Sequence, residues 1–387
     1  MKNIYIISLV LLLISGGCKK ETSHRNDTVI VVDVTKENYP HKEITLQDFM
    51  DVEYIALETS DTFLCQGHIL AVGKDFIVAR NQIQDDAIFI FDRKKGKGIT
   101  KINRKGPGNE EYAIAYQAVL DENNKELFIY DVIQNKIMVY DLYGKYKRHF
   151  MRHKKDRINH IYNYNRENLI CHIDNDNATS DKSTFLLLSK QTGETVHEIA
   201  ISYKEKKSMK IADNGNLLML YPYPSILSFR NHWILSEISS DTVFQLSPEY
   251  NMTPIIIKKP SIQSTTPETF LFPQIFTNRY HFIGKVKKRN DFSTTNLIYD
   301  NQEKGIYKYT MYNRDYVNAQ KINIAELEIL NEEAIFYKKM EAYKLVEAYN
   351  NGELKGELKN IAAELDEESN PVIMIAKDKK LPSKWLR

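Results

Sequence analysis

Cysteine is scarce, with only three in 387 residues, and one of them, Cys18, ends a leader-like segment. The two that remain, Cys65 and Cys171, make no disulfide framework, so a small cystine-stapled fold is excluded and the chain must be held by burial. Cys171, within NLICHI, reads as a small buried hydrophobe, and nothing in sequence favours a Cys65 to Cys171 bridge. An excess of one charge is lacking too. The balance of 53 basic against 51 acidic residues leaves a net charge of +2, which gives no global field to hold nucleic acid. The longest apolar run, Ile4 to Ile14, is too short for a comfortable transmembrane helix. Neither the Walker nor the dinucleotide glycine spacing occurs, and there is no nucleophile elbow and no zincin helix, so no cofactor and no catalytic group is assigned.

What is abundant is aromatic residues in short alternating runs. With 24 Tyr, 16 Phe and 42% hydrophobic residues, the composition favours strands in an ordinary globule with ample core. The alternation in Ile88 to Asp92 reads as a half-buried strand, Arg93 to Gly96 as a hairpin turn and Ile99 to Ile102 as the returning strand. That unit recurs as IFIFDRKKG (Ile88 to Gly96), IMVYDLYG (Ile137 to Gly144), FLLLSKQTG (Phe185 to Gly193) and NLIYDNQEKG (Asn296 to Gly305), with a weaker DTVFQLSPEYN (Asp241 to Asn251). The first three starts are separated by 49 and 48 positions. A period near 50 with four strands per unit indicates propeller blades, each stable only when stacked on its neighbours.

The units fall at about 66–104, 114–151, 158–202, 211–259 and 275–320. Isolated strands at DVEYIALET and NPVIMIAKDKKL, near the two chain ends, suit a shared sixth blade. The fold class expected is therefore all-β: a six-bladed β-propeller over 43–320, its ring closed by N- and C-terminal strands, the latter at 370–387. Before that last strand, Leu327, Leu330, Ala334 and Tyr337, and then Leu354, Leu358, Ile361 and Leu365, have helical spacing. They predict a C-terminal amphipathic helix pair over 321–369 that packs on the propeller.

The start of the chain has a different character. Lys2, the run Ile4 to Ile14 and the small residues Ser15, Gly16 and Gly17 have the layout of a signal peptide over 1–17. Cys18 then resembles the cysteine of a bacterial lipobox, with Ser15 standing where that pattern prefers Leu. The resemblance implies lipidation of Cys18, a polar tether over 18–42 and an exported, outer membrane-anchored protein, facing either the periplasm or the surface.

Four further stretches carry a family resemblance. VEYIALETS (with Tyr54, Ile55, Leu57, Glu58 and Thr59), RKGPGNEEY, SSDTVFQL and NPVIMIAK together resemble the uncharacterised six-bladed β-propeller lipoproteins of Bacteroides and relatives. The loop pattern of that family matches at Gly106, Pro107, Gly108, Glu111 and Tyr112. It departs at Arg104, which stands in place of a glycine, and at Asn109 and Glu110, which lengthen the loop. The resemblance implies envelope proteins near nutrient uptake systems and brings no enzymatic activity.

The loop RKGPGNEEY supports two readings. In one it is a structural loop in which Gly106 and Gly108 supply positive φ, Pro107 stiffens the turn and the whole locks one blade to the next. In the other Arg104, Glu110, Glu111 and Tyr112 line a mouth of the channel and bind a polar ligand. His149, His153, His160 and His172 lack ligand spacing, so no metal site is assigned; Asp174 and Asp176 read as a polar hairpin tip. The basic run Lys145 to Arg157 would attract anionic glycans or lipid headgroups if it were free, and otherwise reads as a solvated inter-blade loop. Tyr162, Tyr164, Tyr221, Tyr223 and Trp233 would stack on sugars or fill the core. The function expected is non-catalytic binding of a glycan, peptide or envelope protein through one propeller face, with membrane contact through the lipid anchor alone and no nucleic acid. The alternative is a propeller enzyme, a glycan lyase or hydrolase, using acidic and aromatic residues at the channel mouth.

Overall fold

A computed structural model describes residues 29–81, 85–152, 157–173, 184–213, 216–219, 224–289, 292–329 and 336–379. The leader and Cys18 lie outside them. Six sheets stand in a ring as a β-propeller. Blade one is built from His68–Val72, Phe76–Arg80, Ile88–Asp92 and Gly98–Ile102, and blade two from Gln117–Asp121, Glu126–Asp131, Lys136–Asp141 and Tyr146–Met151. Blade three spans Ile158–Asn163 to Thr195–Ile199, blade four Ile226–Phe229 to Met252–Lys259, and blade five Thr269–Phe276 to Gly305–Asn313. Blade six draws on both ends of the chain: Glu328–Ile329, Phe336–Met340 and Val372–Asp378, with Met50–Ala56 antiparallel along its outer edge.

The third strands of blades one to three are buried on both faces, not half-buried as the alternation in Ile88 to Asp92 suggests. In Ile88–Asp92, Phe89 and Phe91 join the core toward blade six while Ile88 and Ile90 join the core toward blade two. Stacking a blade on each side removes water from both faces, so the alternation separates two cores rather than core from solvent.

The glycine ending each repeat has a packing role as well. Gly96 takes φ +66°, and a Cβ there would lie 1.9 Å from the carbonyl oxygen of Ala56 in the outer strand of blade six. Gly193 repeats the pattern, its would-be Cβ falling 2.3 Å from the Phe150 ring of blade two. In blade four Tyr250 takes the left-handed backbone (φ 66°), and its ring stacks on His197 of blade three, with centroids 4.6 Å apart.

Three expectations require correction. First, part of the stretch read as a tether is folded. Ile30–Asp33 and His41–Thr45 add in parallel to the outer strands of blades four and five, so the chain runs along three successive outer edges before it reaches blade one. Those edges would otherwise expose unpaired backbone groups. Second, the first predicted helix is partly strand. Glu328–Ile329 and Phe336–Met340 are the inner half of blade six, and among the described residues of 321–369 the α-helices are Ala342–Asn350 and Gly356–Ala362. The stripe ending at Tyr337 has helical spacing, but Tyr337 is drawn into the sheet, where it pairs with Ile375 and Glu328. Third, blade four begins at Ile226, and Lys210–Asp213 with Asn216–Met219 forms a separate hairpin.

The two helices sit on the connection between blades five and six. Leu345, Ala348, Leu358 and Ala362 are buried in a core shared with Tyr54, Ile324 and Phe336. The Val317 N–H donates to the Glu353 carbonyl at 2.7 Å and the Lys355 N–H to the Asp315 carbonyl at 2.8 Å, which ties the pair down at its turn. No helix among the described residues is long and apolar enough to cross a membrane.

Candidate functional site

The RKGPGNEEY loop joins the outer strand of blade one to the inner strand of blade two, and it closes on itself. Gly106 N–H donates to the Tyr112 carbonyl and Tyr112 N–H to the Arg104 carbonyl, both at 3.0 Å. The Glu111 carboxylate accepts from Gly108 N–H at 2.8 Å. Neither Gly106 nor Gly108 has positive φ. They are glycines because a Cβ would come within 2.1 Å and 2.9 Å of that carboxylate, so close approach is the requirement rather than left-handed backbone. Blade two grips the loop from below: Tyr140 donates to the Glu110 carbonyl at 2.6 Å and Lys136 to the Glu111 carbonyl at 2.9 Å.

Of the four residues read as ligand-binding, Tyr112 has no exposed surface and its hydroxyl donates to the Asp86 carbonyl at 3.0 Å. Burial holds its phenol far above the ordinary value. Glu111 is engaged inside the loop. Arg104 and Glu110 are the exposed members, 3.9 Å apart, a pair of the kind that contributes well under ~1 kcal/mol. The loop therefore does not bring the four side chains together over an opening.

The other motif residues are joints as well. Asn370, 2% exposed, accepts from Cys65 N–H at 2.9 Å and donates to the Glu58 carbonyl at 2.6 Å, while its own N–H donates to Thr59 Oγ1 at 2.7 Å. Asp241 pairs with Lys258 at 3.1 Å and accepts from Ile262 N–H at 2.8 Å. Within the basic run, Arg148 binds the Glu126 carboxylate at 2.7 and 2.8 Å and reaches the Lys190 carbonyl of blade three. Burial raises Glu126, but Arg148 and Lys147 outweigh it and hold the carboxyl below its usual range. Arg148 is thus built into a blade seam, as is Arg152, which donates to the Gly193 carbonyl at 3.1 Å, while Lys145, Lys147 and Arg157 are exposed. Cys65 and Cys171 are free and buried. His149 accepts or donates at Nδ1 with Tyr146, His160 stacks on His172 with centroids 6.3 Å apart, and His153, Asp174, Asp176, Tyr221 and Tyr223 lie outside the described residues. Among the described residues no three His, Cys, Asp or Glu group as a metal site.

An opening does exist in the channel. A cavity of about 240 Å³ is walled by the inner strands of blades one, two, three and six. Leu70, Val72, Val119, Leu120 and Ile161 are among its apolar lining residues, and His68, Tyr116, Gln117, Tyr162, Asn163 and Glu328 among its polar ones. Tyr116 is 45% exposed, and its ring is set edge-on to Tyr130, centroids 6.4 Å apart. Gln117 is held by donating to the Asn159 carbonyl at 2.7 Å and accepting from Ile161 N–H at 3.1 Å. The buried Tyr337 bonds both the Glu328 carboxylate and the Ile69 carbonyl. Glu328 keeps accessible surface in the lumen, yet the surrounding protein raises its carboxyl above the ordinary value, against the pull of the Tyr337 bond and the charge of Lys339. Burial, with Arg80 and Lys339, holds His68 below its usual range, so it is neutral at neutral pH. Apart from Tyr162, this set was missed in the sequence. Its members come from four blades, and only the ring brings them together.

A match to a domain of unknown function, DUF4934, covers residues 29–377. The chain belongs to the DUF4934 family. No curated protein matches it. Among solved structures, it is similar to a protein of Bacteroides fragilis described as exported, at 16% identity and TM-score 0.60, covering 91% of this chain and 100% of that one. It is also similar to a DUF4221 family member from Bacteroides vulgatus, at 8% identity and TM-score 0.50, covering 87% and 100%. Both likenesses concern the fold. The likeness to virginiamycin B lyase of Staphylococcus aureus, at 10% identity with 85% and 99% covered, has a TM-score of 0.36 and carries no argument about chemistry.

Proposed function

We propose that this DUF4934 propeller is an exported, lipid-anchored binding protein of the bacterial envelope that takes its ligand, a glycan or a peptide, into the mouth of the central channel. The carrying observation is the cavity: apolar side chains together with amide, phenol and carboxylate groups in one lining, the half-exposed ring of Tyr116 among them. Such a mixture suits orientation-specific binding of a small group. Export is supported by the leader pattern and by the neighbour described as exported. Anchorage rests on Cys18, and Cys18→Ala is expected to move the protein from the detergent phase to the aqueous phase in a partition assay; an unchanged distribution would remove the anchor from the account.

The channel reading is tested by glycan and peptide arrays with purified protein. Tyr116→Ala is expected to weaken the best ligand about tenfold or more, the scale of one well-packed aromatic contact, while Arg104→Ala leaves it unchanged. The reverse pattern would return the site to the RKGPGNEEY loop, and turnover of any bound ligand would overturn the non-catalytic reading.

A further inference from the structure

We infer that the channel cavity is a receptor for an organic cation, an amine or quaternary ammonium group held between the Glu328 carboxylate and the tyrosine rings of the wall. This rests on the channel reading above and names the chemistry of the group that enters. Of the residues lining the cavity, Glu328 and His68 are the two whose charge is at issue near neutral pH, and His68 is neutral there. Among the described lining residues Glu328 is the one carboxylate, and neither lysine nor arginine is among them.

Glu328 has no ion-pair partner among the described residues. Lys339, whose charge acts on it, is engaged elsewhere, 2.8 Å from Glu341 Oε1 and 3.2 Å from the Gln66 carbonyl. Tyr337 has a single hydroxyl proton but faces two acceptors, the Glu328 carboxylate and the Ile69 carbonyl. A carboxylate has about four acceptor positions and Tyr337 fills at most one of them, so acceptor capacity is left on Glu328. Glu328 is exposed and has no ion-pair partner among the described residues, so a guest cation can reach its carboxylate and supply the countercharge.

The rings add a second attraction. Tyr116 and Tyr162 both line the cavity, and a cation over a tyrosine face gains further stabilisation where water is excluded. Tyr116 is oriented by its contact with Tyr130, and Tyr162 by rings on either side, His160 at 6.3 Å and Trp233 at 6.4 Å. The apolar wall of Leu70, Val72, Leu120 and Ile161 would accept the methylenes or methyl groups that carry the charge. A volume of about 240 Å³ accommodates a group the size of a lysine side chain or a trimethylammonium head.

The test titrates the purified protein at pH 8 with n-butylammonium, tetramethylammonium, n-butanol and n-butyrate. Both ammonium probes are expected to bind about tenfold tighter than butanol, with butyrate weakest, a preference equivalent to roughly 1.4 kcal/mol. Glu328→Gln should erase the preference, leaving butylammonium level with butanol. That variant keeps the Tyr337 bond to Ile69, so its thermal midpoint serves as the check on folding. Tyr116→Phe should retain the preference and Tyr116→Ala should lose most of it. Equal binding of butanol and butylammonium, a preference for butyrate, or an unchanged Glu328→Gln would overturn the inference. If array ligands bind through Tyr116 without any cation preference, the cation falls and the channel site stands. If the ammonium probes bind but neither Tyr116→Ala nor Glu328→Gln weakens them, or if nothing binds, both fall.

Discussion

Gly96→Ala is expected to destabilise the propeller by roughly 3 kcal/mol or more, the range of substitutions that force backbone apart. Two costs add. The left-handed backbone at φ +66° costs a residue with a Cβ about 1–2 kcal/mol. The Cβ must then displace the Ala56 carbonyl, 1.9 Å away, which belongs to a strand and has no rotamer to move into. Moving it strains the seam between blades six and one, where Glu58 N–H donates to the Gly96 carbonyl at 2.8 Å and Gly98 N–H donates to the Glu58 carboxylate at 3.0 Å. Gly352→Ala is the control. Its φ is +70°, but no atom lies within 4 Å of the new Cβ, so only the same backbone cost of about 1–2 kcal/mol applies. Denaturant unfolding of the two variants should separate them clearly, and equal losses would mean the seam yields without cost.

The second large effect lies between blades two and three. Lys190 is 1% exposed and pairs with the fully buried Asp121, while also donating to Asn163 Oδ1 and the Asn165 carbonyl at 2.6 Å each. Lys190→Met would leave the Asp121 carboxylate with the Asn124 backbone and side-chain N–H groups and without a countercharge. Removing one partner of a buried pair costs about 3–5 kcal/mol, much of it from the charge left behind. Adding Asp121→Asn to Lys190→Met should therefore recover a large part of the loss. A Lys190→Met cost below ~1 kcal/mol, or a double variant worse than the single, would contradict this.

Legibility in the sequence followed the range of the interaction. The strands of blades one to three were readable because their alternation is local, and the sharing of blade six between Met50–Ala56 and Val372–Asp378 because two apolar strands stood without neighbours. Glu328–Ile329 and Phe336–Met340 were read as helix because a strand pair this short leaves a period too brief to separate from the helical one. Ile30–Asp33 carried a strand signal in its β-branched residues, but nothing local told that its partner lies in blade four, and the polar His41–Thr45 gave little signal at all. The motifs that mark the family were visible for the same reason that they are poor guides to a ligand. Tyr112, Asp241 and Asn370 are fixed by bonds between segments, and a joint constrains its residues as strongly as a binding site would. The cavity left no such mark. His68, Tyr116 and Glu328 are single residues in unremarkable strands or at their ends, and their proximity depends on closure of the ring.

A structure of the protein with its best array ligand bound tests the central claim most directly. The account predicts the ligand in the channel cavity, in contact with Tyr116 and with a polar group near the Glu328 carboxylate. A ligand seated on Arg104 and Glu110, or on any other surface with the cavity unchanged, would contradict it.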